Sequence, residues 1–208
     1  MPRGSTPPLS RYTAAYYDRW YRDPETRVRT PATIARLAGL TVSAAEYVLD
    51  RPVRTVLDVG AGEGHWRGHL RRLRPRLRYV GVEPSAYAVA RYGRARNLRQ
   101  GTIGTLDVTA LREFAPDGFD LIVACGVLNY VPDAELRGGL RALSRLSNGV
   151  AFLELFSAGD SLTGDVPRNR RSPAWYRKLL RGSGFVPCGL HLYLTREIAR
   201  SCAALELA

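Results

Sequence analysis

Two acidic residues in the first half of the chain each lie near the end of an apolar run, and glycines lie between them. Asp58 is the only charged residue from Thr55 to Gly62, and a glycine-rich turn follows it at once. Without Cβ atoms, glycines let the backbone turn tightly and lie against a ligand. Glu83 ends the second run about 20 residues after the turn, where a carboxylate can accept hydrogen bonds from ribose hydroxyls. The combination predicts a site for a nucleoside-type ligand at the ends of two parallel strands.

The spacing of the glycines separates two kinds of cofactor. Gly60, Gly62 and Gly64 form a G-x-G-x-G pattern. A dinucleotide-binding fingerprint would place its third glycine one position later, where the chain has His65. The run V-L-D-V-G-A-G-E-G at 56–64 resembles the first motif of the class I S-adenosylmethionine (SAM)-dependent methyltransferases. The resemblance implies that the glycines pass under the methionine part of SAM; the alternative is a purely structural turn between a strand and a helix.

The resemblance implies further parts of a cofactor site. In the family, the acid after the second strand binds the ribose, and here that residue is Glu83. Thr102 stands where the family often has an acid that holds the adenine amino group, so adenine would be bound by backbone groups and packed against Ile103. The expected cofactor is SAM, with S-adenosylhomocysteine as its product. The implied cofactor-binding residues are Asp58, Gly60, Ala61, Gly62, Gly64, Glu83, Pro84, Thr102, Ile103, Cys125 and Gly126.

The segment after the fourth predicted strand faces the transferred methyl group in this family. Cys125–Val131 resembles the family segment Val-Leu-Glu-His-Val, but Asn129 replaces the acid and Tyr130 the histidine. Tyr130 either orients a substrate or fills the pocket wall. Glu154 lies in an apolar strand, and because a buried unpaired carboxylate is costly, it either has a partner near the cleft or is exposed at an edge. Since methyl transfer mainly requires alignment, the general base stays unassigned, with Tyr130 and Glu154 as catalytic candidates.

The segment from Leu9 to Leu49 precedes the glycine turn and has a mostly helical pattern. Tyr12, Tyr16 and Trp20 recur at i, i+4 spacing, so they are expected to share one face of a helix. That face either packs a cap helix onto the core or forms an aromatic lid over cofactor and substrate. A variable N-terminal segment commonly supplies such a lid in class I methyltransferases.

A long polar loop is predicted from Ser157 to Ser172, and a loop of this length in a compact domain is often functional. Arg168, Arg170 and Arg171 lie on it and either clamp an anionic substrate bidentately or are simply solvated. The candidate substrate-binding residues of the whole chain are Tyr16, Trp20, Tyr130 and Arg170.

Strand-like and helix-like segments alternate from Val53 onward, which is typical of a parallel α/β sheet. The predicted fold is a Rossmann-like class I methyltransferase fold of the α/β class. It has a mostly parallel seven-stranded sheet with an antiparallel C-terminal strand, plus an N-terminal helical cap. We expect a cap or lid segment over 1–50 and a SAM-binding domain over 51–208. Strands are predicted at 55–59, 79–83, 97–100, 119–124, 149–156 and 185–194, and 202–207 is either an antiparallel seventh strand or a terminal helix. Helices are predicted at 65–73, 85–92, 132–146 and 173–182.

Composition narrows the class of protein. The chain has 208 residues and a net charge of +12, and only Lys178 among its 31 basic residues is a lysine. Arginine-favouring base composition explains that imbalance, but the excess of positive charge also fits an acidic substrate or nucleic acid. Three scattered cysteines show neither metal spacing nor a disulfide framework, so no metal is expected. No apolar run approaches the roughly 18 residues that span a bilayer, so we expect a cytoplasmic monomer or homodimer without membrane attachment.

The sequence therefore predicts an enzyme that transfers a methyl group from SAM to a small-molecule metabolite. A second hypothesis is an RNA or protein methyltransferase that uses the basic surface, which makes nucleic acid a possible but less favoured partner. A third hypothesis, from another class of protein, is a SAM-binding module without catalysis.

Overall fold

In a computed structural model, the described residues are 9–160, 165 and 169–202. They form one seven-stranded sheet with the strand order β3-β2-β1-β4-β5-β7-β6. The first five strands pair in parallel, and β7 pairs antiparallel with both β5 and β6. The predicted α/β fold with an antiparallel C-terminal strand is confirmed. The strands are β1 (Thr55–Val59), β2 (Arg78–Glu83), β3 (Leu98–Gln100), β4 (Phe119–Cys125), β5 (Ser147–Glu154), β6 (Phe185–Gly189) and β7 (Leu192–Thr195).

The antiparallel strand lies earlier in the chain than the sequence predicts. The single strand predicted at 185–194 is wrong, because Leu190 and His191 adopt left-handed backbone conformations and reverse the chain between β6 and β7. The antiparallel strand is therefore Leu192–Thr195. Of the segment predicted at 202–207, only Cys202 is described, in a bend after the last helix, and the rest lies outside the described residues.

Of the eight helices among the described residues, five begin where the sequence supplies a capping side chain. Ser85 and Ser172 each accept a hydrogen bond from a backbone N–H in the first turn of the helix that follows. The helices predicted at 65–73 and 173–182 have those bounds, and a short helix at 108–114 was not predicted. The helices are α1 (Ala14–Tyr17), α2 (Pro31–Leu49), α3 (His65–Leu73), α4 (Ala86–Arg96), α5 (Val108–Phe114), α6 (Asp133–Leu146), α7 (Pro173–Gly182) and α8 (Arg196–Ala199).

The segment before β1 is less regular than its sequence pattern indicates. A 3₁₀ turn, the short α1 and a five-residue π turn at Asp18–Arg22 precede the long helix α2. Its aromatic rings form a chain of contacts. The ring centroids of Tyr12 and Tyr16, and those of Tyr17 and Tyr21, lie 5.0 Å apart.

Two hydrophobic cores cover the two faces of the sheet. One core holds apolar side chains of α5, α6 and α7, and the other holds those of α2 and α3. The parallel strands are thus buried on both faces, so the carboxyl ends of β1, β2 and β4 form the open edge at which ligands bind in such sheets.

Candidate functional site

A cavity of about 560 Å³ lies at this edge, between the carboxyl ends of the parallel strands and the segment before α2. Among the candidate cofactor-binding, catalytic and substrate-binding residues predicted from the sequence, Gly62, Gly64, Glu154 and Arg170 are not on its wall. The structure brings the others together. Those that line the cavity are Tyr16, Trp20, Asp58, Gly60, Ala61, Glu83, Pro84, Thr102, Ile103, Cys125, Gly126 and Tyr130.

The glycine turn needs its glycines for two reasons. Gly60, Gly62 and Gly64 all have positive φ, at +70°, +57° and +76°. A Cβ on Gly60 would lie 2.6 Å from the side chain of Val127, and one on Gly62 would lie 2.8 Å from the Tyr21 hydroxyl oxygen. A larger residue at Gly60 or Gly62 would therefore have to displace Val127 or Tyr21, both of which line the cavity.

The Glu83 carboxylate connects three parts of the chain. Its Oε2 accepts a hydrogen bond from the Gly62 backbone N–H at 2.7 Å. Its Oε1 accepts from the Ser85 N–H at 2.9 Å and from the Tyr17 hydroxyl at 3.1 Å. Burial raises the pKa of Glu83, while these hydrogen bonds oppose that rise. Since a carboxylate has about four acceptor positions, roughly one remains for a ligand hydroxyl.

Asp58 is buried beneath the glycine turn and accepts a hydrogen bond from the Tyr79 hydroxyl at 2.7 Å. Burial raises the pKa of Asp58 to about 7, with a smaller contribution from the charge of Glu83. The carboxyl group therefore titrates near neutral pH, well above its ordinary range.

This pKa predicts a pH-dependent stability. Between about pH 4 and pH 7 the native state holds a proton that the unfolded chain has lost, so the free energy of unfolding falls as the pH rises. The limiting slope is about 1.4 kcal/mol per pH unit.

In Asp58→Asn, which keeps an acceptor for Tyr79, we expect this contribution to the free energy of unfolding to vanish when stability is measured by urea denaturation at pH 5 to 8. Asp117→Asn, at an exposed turn, is the matched control and should keep the wild-type slope; a wild-type slope in Asp58→Asn would contradict the assignment.

Ion pairs fasten the segment before α2 to the cavity edge. Arg22 forms a salt bridge with the buried Glu63 of the glycine turn, and Arg29 forms one with Glu154 at the end of β5. Ser85 Oγ also donates to the Tyr12 carbonyl oxygen at 2.7 Å. Sequence reasoning missed both arginines. Because a buried carboxylate is costly without a partner, the sequence could indicate that a buried acid such as Glu154 has a partner, but it could not identify which residue that partner is.

Glu154 is buried rather than exposed at an edge, and its partner Arg29 lines the cavity. The Cys125 thiol lies 3.5 Å from Glu154 Oε2. Burial and the neighbouring carboxylate raise the pKa of Cys125, which keeps the thiol protonated.

Beyond β4, Asn129 and Tyr130 have different surroundings. The Asn129 side chain is buried and binds the backbone of Phe156, donating to its carbonyl oxygen at 2.6 Å and accepting from its N–H at 3.2 Å. Tyr130 lines the cavity and donates its hydroxyl to the Asp165 carbonyl oxygen at 2.8 Å. Asn129 thus joins the ends of β4 and β5, while Tyr130 faces the ligand space.

Of the two alternatives for the arginines of the 157–172 loop, a substrate clamp or simple solvation, the described residues place neither Arg170 nor Arg171 on the cavity wall. Arg170 is exposed, lies away from the cavity wall and donates to the Ala158 carbonyl oxygen at 2.6 Å. Arg171 is buried and forms a salt bridge with Asp133 at 2.8 Å, so it braces the start of α6. Arg168 lies outside the described residues. The loop reaches the cavity through Asp165, which forms a salt bridge with Arg11.

A family model described as a methyltransferase domain matches residues 57–149, the part of the chain that supplies β1 to β4 and α3 to α6. Over these residues the chain is similar to the methyltransferase domain family. The matched residues of this domain begin at Leu57 in β1 and include the glycine turn, Glu83 and the segment after β4. No curated protein matches the chain.

Several solved methyltransferase structures share the fold of this chain. The sugar N-methyltransferase KedS8 from Streptoalloteichus superposes with a TM-score of 0.61 at 21% identity, over 81% of this chain and 84% of that chain. Magnesium protoporphyrin IX methyltransferase from Synechocystis gives 0.55 at 17%, over 85% and 84%. A SAM-dependent methyltransferase from Clostridium acetobutylicum gives 0.59 at 14%, over 83% and 86%. At these low sequence identities, the similarity to these structures shows a shared fold and nothing about the substrate.

Among the described residues, no helix is both long and apolar enough to cross a membrane. Within the same residues, no group of three or more His, Cys, Asp or Glu side chains is arranged to hold a metal ion.

Proposed function

We propose that this methyltransferase acts on a small-molecule acceptor. The observation that carries the proposal is one cavity of about 560 Å³ whose wall includes both the family's cofactor motif and an aromatic segment. This volume falls within the range of small-ligand sites, about 300–1,000 Å³. The cap over the cavity is tied down by Arg22 and Arg29, which favours an enclosed ligand over a polymer lying across the edge.

The residues present fit SAM as the cofactor. Gly60 and Ala61 of the glycine turn line the cavity, and Glu83 on the same wall keeps roughly one acceptor position for a ribose hydroxyl. In the proposed arrangement Thr102 and Ile103 lie at the adenine, and Cys125 and Gly126 lie beside the methionine part. When bound, SAM supplies a methyl group already activated on a sulfonium.

The remaining wall is proposed to hold the acceptor. Tyr16, Trp20 and Tyr130 line the cavity, and the cap segment 1–50 acts as a lid over the domain at 51–208. Alignment of a nucleophile in a site that excludes water contributes most of the rate enhancement in this chemistry. Glu154 is engaged by Arg29, so its proposed role is to position that arginine on the wall. Tyr130 is the remaining candidate for contact with the reacting group.

The class of acceptor has support from proteins of the same fold. KedS8 is described as a sugar N-methyltransferase, and the Synechocystis protein as a magnesium protoporphyrin IX methyltransferase. Both names specify small molecules, and we extend that class to this chain.

Incubation with methyl-labelled SAM and a fractionated cell extract tests the proposal. We expect label in the fraction below about 1 kDa, where mass spectrometry identifies the product. Label confined to RNA or protein would replace the small-molecule acceptor. SAM binding by calorimetry with no labelled product in any fraction would favour a non-catalytic module.

The acceptor wall makes a separate prediction. Trp20→Ala and Tyr130→Phe should each lower kcat/KM for the identified acceptor at least tenfold, while the affinity for SAM changes less than tenfold, about 1.4 kcal/mol. The reason is that both side chains line the cavity without belonging to the glycine turn. Arg170→Ala is the control and should retain full activity, because Arg170 is exposed and off the wall. If Trp20→Ala and Tyr130→Phe are also fully active, the acceptor binds elsewhere.

A further inference from the structure

Helices α6 and α7, together with the first residue of α8 beside the end of α7, carry basic side chains that the cavity does not use. All seven are exposed and none lines the cavity. Among the described residues none of them forms a salt bridge. We call this surface the basic face. Its members are Arg137, Arg141 and Arg145 on α6, Arg177, Lys178 and Arg181 on α7, and Arg196 on α8.

The arrangement brings these charges together. α6 and α7 bury their apolar faces in the same core, so their basic faces both point away from the sheet. Arg137 lies over the ring of Trp175 on α7, with its guanidinium carbon 5.3 Å from the ring centroid. The arginines of α6 follow one another at i, i+4 spacing, so the row from Arg137 to Arg145 is about 12 Å long.

The i, i+4 spacing of the arginines on α6 creates charge repulsion that an anionic ligand would relieve. Like charges at i, i+4 destabilise a helix by a few tenths of a kcal/mol per pair. Glu135 and Glu197 are the exposed acids of these helices, and neither forms a salt bridge among the described residues. The repulsion within the basic face is thus not balanced by ion pairs in the described part of the protein.

The shape of the surface indicates what it binds. An open depression of about 490 Å³ on the basic face is lined by Ala174, Arg177, Lys178, Arg181, Gly182 and Arg196. Its small residues leave room for a compact anion among four cations. The large exposed apolar side chains of the described residues are Val28, Tyr47, Leu73 and Leu190, none of which lies on α6, α7 or α8. Apart from the half-buried Trp175, which Arg137 covers, the face therefore lacks the apolar anchors that protein interfaces use.

We propose that the basic face binds the phosphate backbone of a nucleic acid at a site separate from the methyltransferase cavity. Arginine suits this ligand because its planar guanidinium donates two parallel hydrogen bonds to a phosphate. An extended row of cations binds a polyanion by releasing its condensed counterions, so affinity depends steeply on salt and little on sequence.

The test measures binding of a fluorescent 20-nucleotide single-stranded RNA by anisotropy, without SAM or acceptor. We expect a Kd of about 1–100 µM at 150 mM salt and a linear fall of log affinity with log salt. Arg141→Glu/Arg145→Glu/Arg181→Glu should weaken binding at least tenfold and reduce the salt slope by about 0.7 for each phosphate that the variant no longer neutralises. Unchanged SAM affinity and Tm establish that this variant is folded.

The matched control is Arg71→Glu/Arg72→Glu/Arg76→Glu, which makes the same change in net charge on and just after α3, on the opposite side of the sheet. It should change RNA affinity less than threefold. An equal loss in both triple variants would assign the binding to net charge and overturn the site. Absence of saturable binding to RNA, or equal affinity for a polyglutamate peptide of the same length, would overturn the nucleic-acid proposal. None of these results depends on the acceptor of methyl transfer.

Discussion

Replacing Gly62 by valine should weaken SAM binding at least about 100-fold, a loss of roughly 2.7 kcal/mol. Gly62 has a φ of +57°, which a β-branched residue rarely adopts, and a Cβ there would lie 2.8 Å from the Tyr21 hydroxyl oxygen. Relief of that contact moves either the turn or the Tyr21 ring, and moving the turn breaks the hydrogen bond from the Gly62 N–H to Glu83. Isothermal titration calorimetry with SAM measures the effect.

Gly68→Val is the matched control for this experiment. Gly68 lies on α3 and is exposed, and a Cβ added there would meet no heavy atom of another part of the chain within 4 Å. The SAM affinity of this variant should stay within threefold of wild type, and circular dichroism should show both variants folded. Wild-type affinity in Gly62→Val would remove the glycine turn from the cofactor site.

Glu83→Ala should weaken SAM binding about 10- to 100-fold, because a hydrogen bond to a charged group contributes about 1.5–3 kcal/mol. It should also lower Tm, since the Gly62 and Ser85 N–H groups and the Tyr17 hydroxyl all lose their acceptor. Calorimetry and thermal denaturation measure the two effects separately.

Tyr17→Phe distinguishes the contribution of the Glu83 carboxylate to SAM affinity from the contribution of the side chains packed around it. This variant removes one donor to Glu83 and leaves the carboxylate in place. SAM affinity should then stay within a few fold of wild type. Equal losses in Tyr17→Phe and Glu83→Ala would mean that local packing, and not the carboxylate, determines cofactor affinity.

The sheet was largely predictable because buried parallel strands leave continuous apolar runs in the sequence. β1 has its predicted bounds, and β2 and β4 each differ from prediction by one residue at one end. The β6–β7 turn was missed because Leu190 and His191, which reverse the chain, are not typical turn residues. Gly189, with a φ of +84°, was the available signal.

The part of the site within one motif was predictable, whereas its long-range partners were not. The glycine turn and Glu83 follow a spacing that steric demands impose locally. Tyr17 and Arg29 reach their carboxylates across 66 and 125 residues, distances over which the sequence carries no periodic signal. The buried position of Arg171 was not predicted, because the sequence around an arginine in a polar loop does not show whether its side chain is solvated or pairs with the start of a helix.

The three donors to Glu83 have a consequence for protein engineering. One comes from the N-terminal segment, one from the glycine turn and one from the start of α4, so the carboxylate is oriented jointly by all three. The N-terminal segment is therefore not an interchangeable module. A chimera that exchanges it for the corresponding segment of another methyltransferase, to change acceptor preference, must also carry an aromatic ring at position 17, which stacks on Tyr87, and a basic residue at position 22, which pairs with Glu63. Otherwise the exchange alters the cofactor site along with the acceptor site.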